Sequence, residues 1–167
     1  MRSSSSWWVR KVRQARAHLA ARVTDEERAG IAAWLTPAEL ALFDAMPVAD
    51  RRHGLDVVAR LRDLGARDLD LLLAGLLHDC GKGPSVRLAH RVAWSLSERY
   101  GSWLLRPIAA VPGMAPGLAR IRDHAEISAS LMLEAGASPR AADLARHQAV
   151  PVDPIRGELL RVADEAA

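Results

Sequence analysis

His78 and Asp79 are the residues of this sequence whose type and position most clearly suggest chemistry. They follow a nearly uninterrupted apolar run, for which the sequence predicts a buried helix over residues 68–80, with Asp68 as N-cap and Gly81 as the exit. Burying an imidazole and a carboxylate there costs several kcal/mol unless something compensates the burial. A bound metal ion would compensate it. The alternative is a helix that ends at the surface with both side chains solvated.

Further polar residues stand where an apolar side chain would be expected to pack, each on a separate predicted helix. They are His53, His124, His147 and Asp164. A single inward-facing histidine is usually a satisfied core residue, but several on separate helices indicate a shared partner. Imidazole and carboxylate ligands together suit Fe, Mn, Zn, Ni or Co. The set therefore predicts a transition-metal site.

The composition predicts an all-α fold. Half of the 167 residues are hydrophobic but only 4% are aromatic, so the core must consist mainly of Leu, Ala and Val, which favours helices. No alternating strand pattern or hairpin signal is present. The single cysteine, Cys80, excludes an intrachain disulfide and favours a cytoplasmic location. No apolar run is long enough to span a bilayer, and no signal peptide is evident.

The positive charge is concentrated at the N-terminus. Residues 1–23 contain six basic and no acidic residues, whereas the rest of the chain has a small excess of acids. We therefore divide the chain into a basic, Trp-containing helical arm, 1–35, and a domain, 36–167. The predicted helix over residues 7–23 either contacts an anionic membrane peripherally or packs its apolar stripe on the domain. Specific nucleic-acid binding is not expected, and nothing in the sequence indicates the oligomeric state.

Capping and turn signals divide the chain into helices. TDEE and TPAE are capping-box patterns, at Thr24 and Thr36, and Ser138-Pro139 is a third start signal. The Pro- and Gly-rich segment 107–117 is typical of a lid or a disordered loop. The predicted helices besides the central one cover residues 25–34, 37–46, 51–65, 86–105, 118–135, 139–147 and 155 to the end.

Three stretches of the chain resemble the HD-domain superfamily of metal-dependent phosphohydrolases. RRHGLDVVARL looks like that family's first-ligand helix, and LLAGLLHDCGKG looks like its signature. HAEISASLMLEAGASPRAADLARHQ resembles the two-histidine segment of its binuclear members. The resemblance covers about residues 40–165 and implies an HD-domain helical bundle.

The resemblance also implies a set of metal ligands. One ion would be held by His53, His78, Asp79 and Asp164, with Asp153 as the alternative to Asp164. Asp79 would bridge to a second ion, held also by His124 and His147. One or two divalent ions are therefore expected, with Fe or Mn favoured over Zn, Ni or Co because four of the six ligands are imidazoles.

The activity implied is hydrolysis of a nucleotide or other phosphate ester by a metal-activated water, with Asp79 and Lys82 as catalytic residues. Lys82 would bind the substrate phosphate; alternatively, it is a lysine placed favourably at a helix C-terminus. Nearby arginines also favour a phosphate-bearing substrate: Arg87, Arg120, Arg122 and Arg146. The acidic pair of the family's (p)ppGpp hydrolases and the GYP text of its cyclic-di-GMP enzymes are missing here.

Two other classes of protein fit the same ligand pattern. Some HD-fold proteins, such as myo-inositol oxygenase, hold a mixed-valent diiron site on the same six ligands and activate oxygen. A metal-bound regulator, tethered to a membrane by the basic N-terminal helix, is the other alternative. The ligand pattern does not separate these classes from the hydrolases.

Overall fold

The computed structural model of the protein describes residues 20–167, and every regular element in that range is helical, as the composition predicts. The helices are α1 (Asp25–Ala32), α2 (Pro37–Asp44), α3 (Val48–Asp63), α4 (Leu69–Leu77), α5 (Leu88–Tyr100), a 3-10 helix (Ser102–Leu104), α6 (Leu105–Ala109), α7 (Met114–Glu134), α8 (Pro139–Arg146) and α9 (Arg156–Ala166).

Four of the predicted helix starts are confirmed by their hydrogen bonds. Thr24 and Thr36 each form a complete capping box with the glutamate three residues later. The Asp68 carboxylate accepts hydrogen bonds from the first backbone amides of α4, and Ser138 caps α8 just before Pro139. Each such cap contributes about 1 kcal/mol. Local sequence signals therefore define where four of these helices begin.

Helix α4 is the centre of the fold. Its residues 71–77 are all buried, and α3, α8 and α9 pack around it. Helix α3 approaches so closely that a Cβ at Gly54 would lie 2.3 Å from the Leu76 carbonyl oxygen. The close approach places the N-terminal half of α3 beside the C-terminal end of α4, where His78 begins the next turn.

Helix α4 is shorter than predicted, because the chain leaves it after Leu77 and makes consecutive tight turns. Cys80 N donates to the Leu77 carbonyl, and Lys82 N donates to the Asp79 carbonyl. The predicted role of Gly81 as the helix exit is wrong. The left-handed conformation falls on Gly83, at φ +60°, while Gly81 is required for a close contact with α7 that is described below.

The segment 107–117 is more regular than predicted. Pro107 lies within α6, and Pro116 lies in the first turn of α7, where a missing backbone N–H removes no helical hydrogen bond. Gly113, at φ +85°, forms the N-cap of α7. Pro107 and Pro116 are accommodated within helices, and the non-helical part, which contains Pro112, is confined to residues 110–113.

Most of the predicted N-terminal arm, including nearly all of the helix predicted over 7–23, lies outside the described residues. Within them, α1 packs on α2, Ile31 is buried in the same core as Phe43, and Glu27 forms an ion pair with Arg52 of α3. The domain boundary at residue 35 stays a prediction. Between residues 20 and 167, no helix combines the length and apolarity needed to cross a membrane.

Candidate metal centre

His78 is held rigidly at the end of α4. Its side chain is buried, and its Nδ1 lies 2.9 Å from the Gly75 carbonyl oxygen, to which it donates a hydrogen bond. This bond fixes the orientation of the ring and points Nε2 away from α4. Such a backbone bond to the far nitrogen is the usual support of a metal-binding histidine.

Three further residues surround His78. Asp164 comes from α9 and His53 from α3, and His53 Nε2 lies 2.8 Å from Asp164 Oδ1. His78 Nε2 lies 3.5 Å from the same Asp164 oxygen and 3.6 Å from Asp79 Oδ1. The chain thus brings together residues separated by more than a hundred positions.

Asp79 extends the group towards α7. Its Oδ1 lies 3.5 Å from His124 Nε2, and its Oδ2 accepts a hydrogen bond from Lys82 Nζ at 2.5 Å. His124 Nδ1 donates to the Ile121 carbonyl at 2.6 Å, so His124 is oriented by the same kind of backbone bond as His78. We call His53, His78, Asp79, His124 and Asp164 the central cluster.

Three residues of the central cluster place donor atoms close enough together that they could hold one metal ion. One potential ligand atom from each of His53, His78 and Asp79 lies within 4.8 Å of the others, and Asp164 contacts both of these histidines. Imidazole nitrogens and carboxylate oxygens are donors that suit a transition metal. Two of the residues that supply them, His78 and Asp79, are buried. His53, His78, Asp79 and Asp164 are therefore the residues that could hold one ion.

The charges of the central cluster are strongly coupled. Burial alone would lower the pKa of His78, but the carboxylates of Asp79 and Asp164 outweigh it and raise that pKa to about 9. Burial opposes ionisation of Asp79 and Asp164, yet the neighbouring cationic groups hold both pKa values well below the usual range. Burial lowers the pKa of His124. Because the carboxylates of Asp79 and Asp164 stabilise the doubly protonated His78 ring, an ion binding at Nε2 would have to displace a proton there.

His147 is the one predicted ligand that the structure does not bring to the central cluster. It forms the C-cap of α8, and its Nε2 lies 3.5 Å from Asp143 Oδ1 on the outer side of that helix. Its neighbour Gln148 turns inward instead, and the Gln148 amide nitrogen lies 3.1 Å from His124 Nε2. The expected convergence of six residues therefore includes five.

Asp153, the alternative to Asp164, has a different place in the fold. Its Oδ1 accepts hydrogen bonds from the backbone amides of Ile155 and Arg156 at the start of α9. These bonds lower the pKa of the Asp153 carboxyl. Asp153 therefore holds the turn that precedes α9, while Asp164, in the second half of that helix, belongs to the central cluster.

Lys82 is the predicted cation that lies nearest the central cluster, through its bond to Asp79. Arg120 supports the turn that carries Lys82, because its Nε donates to the carbonyl oxygens of Gly81 and Lys82 at 2.7 and 3.1 Å. Arg122 forms an exposed pair with Asp123, and Arg146 bonds to Glu126 and Asp143. These last two arginines are engaged away from the cluster.

Two features of the site were missed by the sequence reasoning. Gln148 is the residue of the turn after α8 that points inward. The helical periodicity of the sequence does not show which of His147 and Gln148 lies on the inner side. Asp50, one turn before His53, is buried and bonds to Arg91 of α5 at 2.7 Å. The only indication of the Asp50–Arg91 pair in the sequence was that the polar residue Asp50 lies one turn before the predicted ligand His53.

Comparison of the chain with protein-family models, with curated proteins and with solved structures finds no match in any of the three. The functional argument therefore depends on the central cluster and on the chemistry of its residues.

Proposed function

We propose that this protein is a metal-dependent phosphohydrolase of the HD type, acting on a nucleotide or other phosphate ester in the cytoplasm. The observation that supports it is the meeting of His53, His78, Asp79 and Asp164 at one end of the buried helix α4, with a lysine beside them. Four separate parts of the chain supply this group and its neighbour His124. A chance pairing of one histidine with one aspartate would not recruit the others.

The residues of the cluster have separable roles in this proposal. His53, His78, Asp79 and Asp164 would hold one ion, and Asp79 and His124 a second; the predicted ligand His147 is left out of this set, because it lies beside Asp143 on the outer side of α8. A divalent ion lowers the pKa of a bound water, so that it can attack a phosphate near neutral pH. Imidazole and carboxylate donors together suit Fe, Mn, Zn, Ni or Co, and we expect Fe or Mn as the resident ion.

Lys82 would bind the phosphate of the substrate. The Lys82 side chain is 18% exposed, while that of its partner Asp79 is only 4% exposed. Once Asp79 binds an ion, the lysine can turn to a phosphoryl oxygen and meet the negative charge that develops there. Arg120 keeps the backbone of Lys82 in place through its two carbonyl contacts.

The proposed function is tested by elemental analysis and a substrate screen. Protein purified without chelator is expected to contain one or two equivalents of a transition metal. The metal-loaded protein is expected to release phosphate or nucleotide from nucleotides, dinucleotides or generic phosphodiesters. Oxygen consumption is followed in parallel. Oxygen uptake tied to turnover would favour the diiron oxygenases, and bound metal without any turnover would favour a regulator.

Replacing Lys82 with alanine is expected to lower kcat/KM by roughly 100-fold, since it removes a charged group that stabilises the transition state. Metal content is expected to stay unchanged, because Lys82 contributes no ligand. Lys82→Arg should restore part of the rate. Arg122→Ala is the matched control, as its exposed side chain bonds to Asp123. Loss of metal in Lys82→Ala would show a structural role instead.

A further inference from the structure

Gln148 is a buried polar residue in direct contact with the central cluster. Its side chain belongs to the turn that follows α8, and the residue is only 6% exposed. The amide nitrogen lies 3.1 Å from His124 Nε2. A buried amide that reaches a candidate metal ligand has a role beyond filling space.

The hydrogen bonds of His124 define the direction of this contact. His124 Nδ1 lies 2.6 Å from the Ile121 carbonyl oxygen, which accepts only, so the ring nitrogen must carry the proton there. In the neutral imidazole, Nε2 is then an acceptor. The Gln148 amide N–H therefore donates to the Nε2 lone pair, and this bond satisfies both buried groups.

The same lone pair is the one that a metal ion would need. His124 Nε2 also lies 3.5 Å from Asp79 Oδ1, the carboxylate that would bridge two ions. We propose that Gln148 controls occupancy of the second ion position, at His124 and Asp79, because its amide N–H competes with the ion for His124 Nε2. This inference rests on the proposed metal site and adds a positioning residue to it.

Gln148 and His147 are adjacent but differ in their surroundings. His147 has 39% of its side chain exposed and lies beside Asp143, whereas Gln148 is buried beside His124. Changing one or the other therefore separates an effect on His124 from a general disturbance of the turn after α8. His147→Ala is the matched control for changes at Gln148.

Titration of the full-length protein with Mn²⁺, with free Mn²⁺ followed by electron paramagnetic resonance, tests the proposal. The variants are Gln148→Ala, Gln148→Leu and His147→Ala. Gln148→Leu keeps most of the volume but has no donor. We expect both Gln148 variants to bind the second ion about five- to tenfold more tightly, since one competing hydrogen bond is lost, and to bind the first ion unchanged. His147→Ala should bind both ions as the wild type does.

Nitrogen-15 NMR of the metal-free protein gives a readout that needs no ion. In both Gln148 variants the His124 Nε2 resonance is expected to shift towards that of an unprotonated imidazole nitrogen that accepts no hydrogen bond. The His78 resonances are expected to stay unchanged. If the wild type and both Gln148 variants bind the second ion with equal affinity, the role proposed for Gln148 is overturned, but the metal site is not. Failure of every protein to bind Mn²⁺ would overturn the metal site itself, and the inference with it.

Discussion

Replacing Asp79 with alanine is expected to remove all bound metal and to reduce turnover by on the order of 1,000-fold or more. Asp79 is the only residue of the central cluster that contacts both the His78 side, at 3.6 Å, and the His124 side, at 3.5 Å. A bridging carboxylate serves both ions, so its loss affects both. Elemental analysis of the purified variant measures the first effect, and the assay found by the substrate screen measures the second.

Two further variants give this prediction its controls. His124→Ala should lose one ion and keep the other, because the group formed by His53, His78, Asp79 and Asp164 stays complete. Asp143→Ala removes an exposed carboxylate that contacts His147 and Arg146, and it should keep its metal. Full metal occupancy in Asp79→Ala would show that Asp79 is not the bridging ligand.

The fold of Asp79→Ala must be checked separately, because the mutation leaves buried charges without a partner. The Asp79 carboxylate lies beside Lys82 and is one of the two groups that raise the pKa of His78. Breaking a buried ion pair costs about 3–5 kcal/mol. Asp79→Asn keeps the shape of the side chain, so circular dichroism and metal analysis of both variants separate lost ligation from lost structure.

Helix starts were the part of the fold that sequence reasoning predicted best, because their signals are local. Thr24 and Thr36 are each followed three residues later by glutamate, and both capping boxes form. The segment 107–117 was predicted less well. A proline is compatible with a loop and with the first turn of a helix. Which of the two structures forms depends on the packing of the surrounding helices.

All five residues of the central cluster were predicted from the sequence, whereas His147 was expected beside them and Gln148 was not. His53, His124 and Asp164 are placed by regular helices, whose periodicity determines the face on which each side chain lies. His147 is the C-cap of α8, with φ −101° and ψ 19°, and the chain has left the helix by Gln148. Outside a regular helix, neighbouring residues cannot be assigned to an inner or outer face by counting.

Long-range contacts were the part of the structure that the sequence predicted least well. The pair of buried Asp50 and partly exposed Arg91 joins α3 to α5 across 41 residues, and neither position carries a local signal for the other. The approach of α7 to the turn after α4 is of the same kind. Gly81 was correctly singled out but for the wrong reason, since its requirement comes from a distant helix.

Replacing Gly81 with alanine is expected to destabilise the protein by about 3 kcal/mol and to disturb the second ion position. A Cβ at this residue would lie 2.3 Å from the His124 carbonyl oxygen and 2.7 Å from the Ser128 backbone nitrogen. Neither backbone atom can move alone, so the turn and α7 must separate, and the 2.8 Å bond from Gly81 N to Ser128 Oγ is then lost. Overpacking of this kind typically costs 1–3 kcal/mol, occasionally more.

Thermal unfolding and Mn²⁺ titration measure the two effects of Gly81→Ala. For a chain of this size, 3 kcal/mol corresponds to a fall in Tm of about 6–12 °C. Gly30→Ala is the control with the opposite sign, because nothing lies within 4 Å of a Cβ at that helical glycine. Alanine should stabilise α1 there by up to about 1 kcal/mol. A Tm for Gly81→Ala within about 2 °C of the wild type, with second-ion binding unchanged, would show that the turn and α7 separate without cost, and that their contact does not position His124.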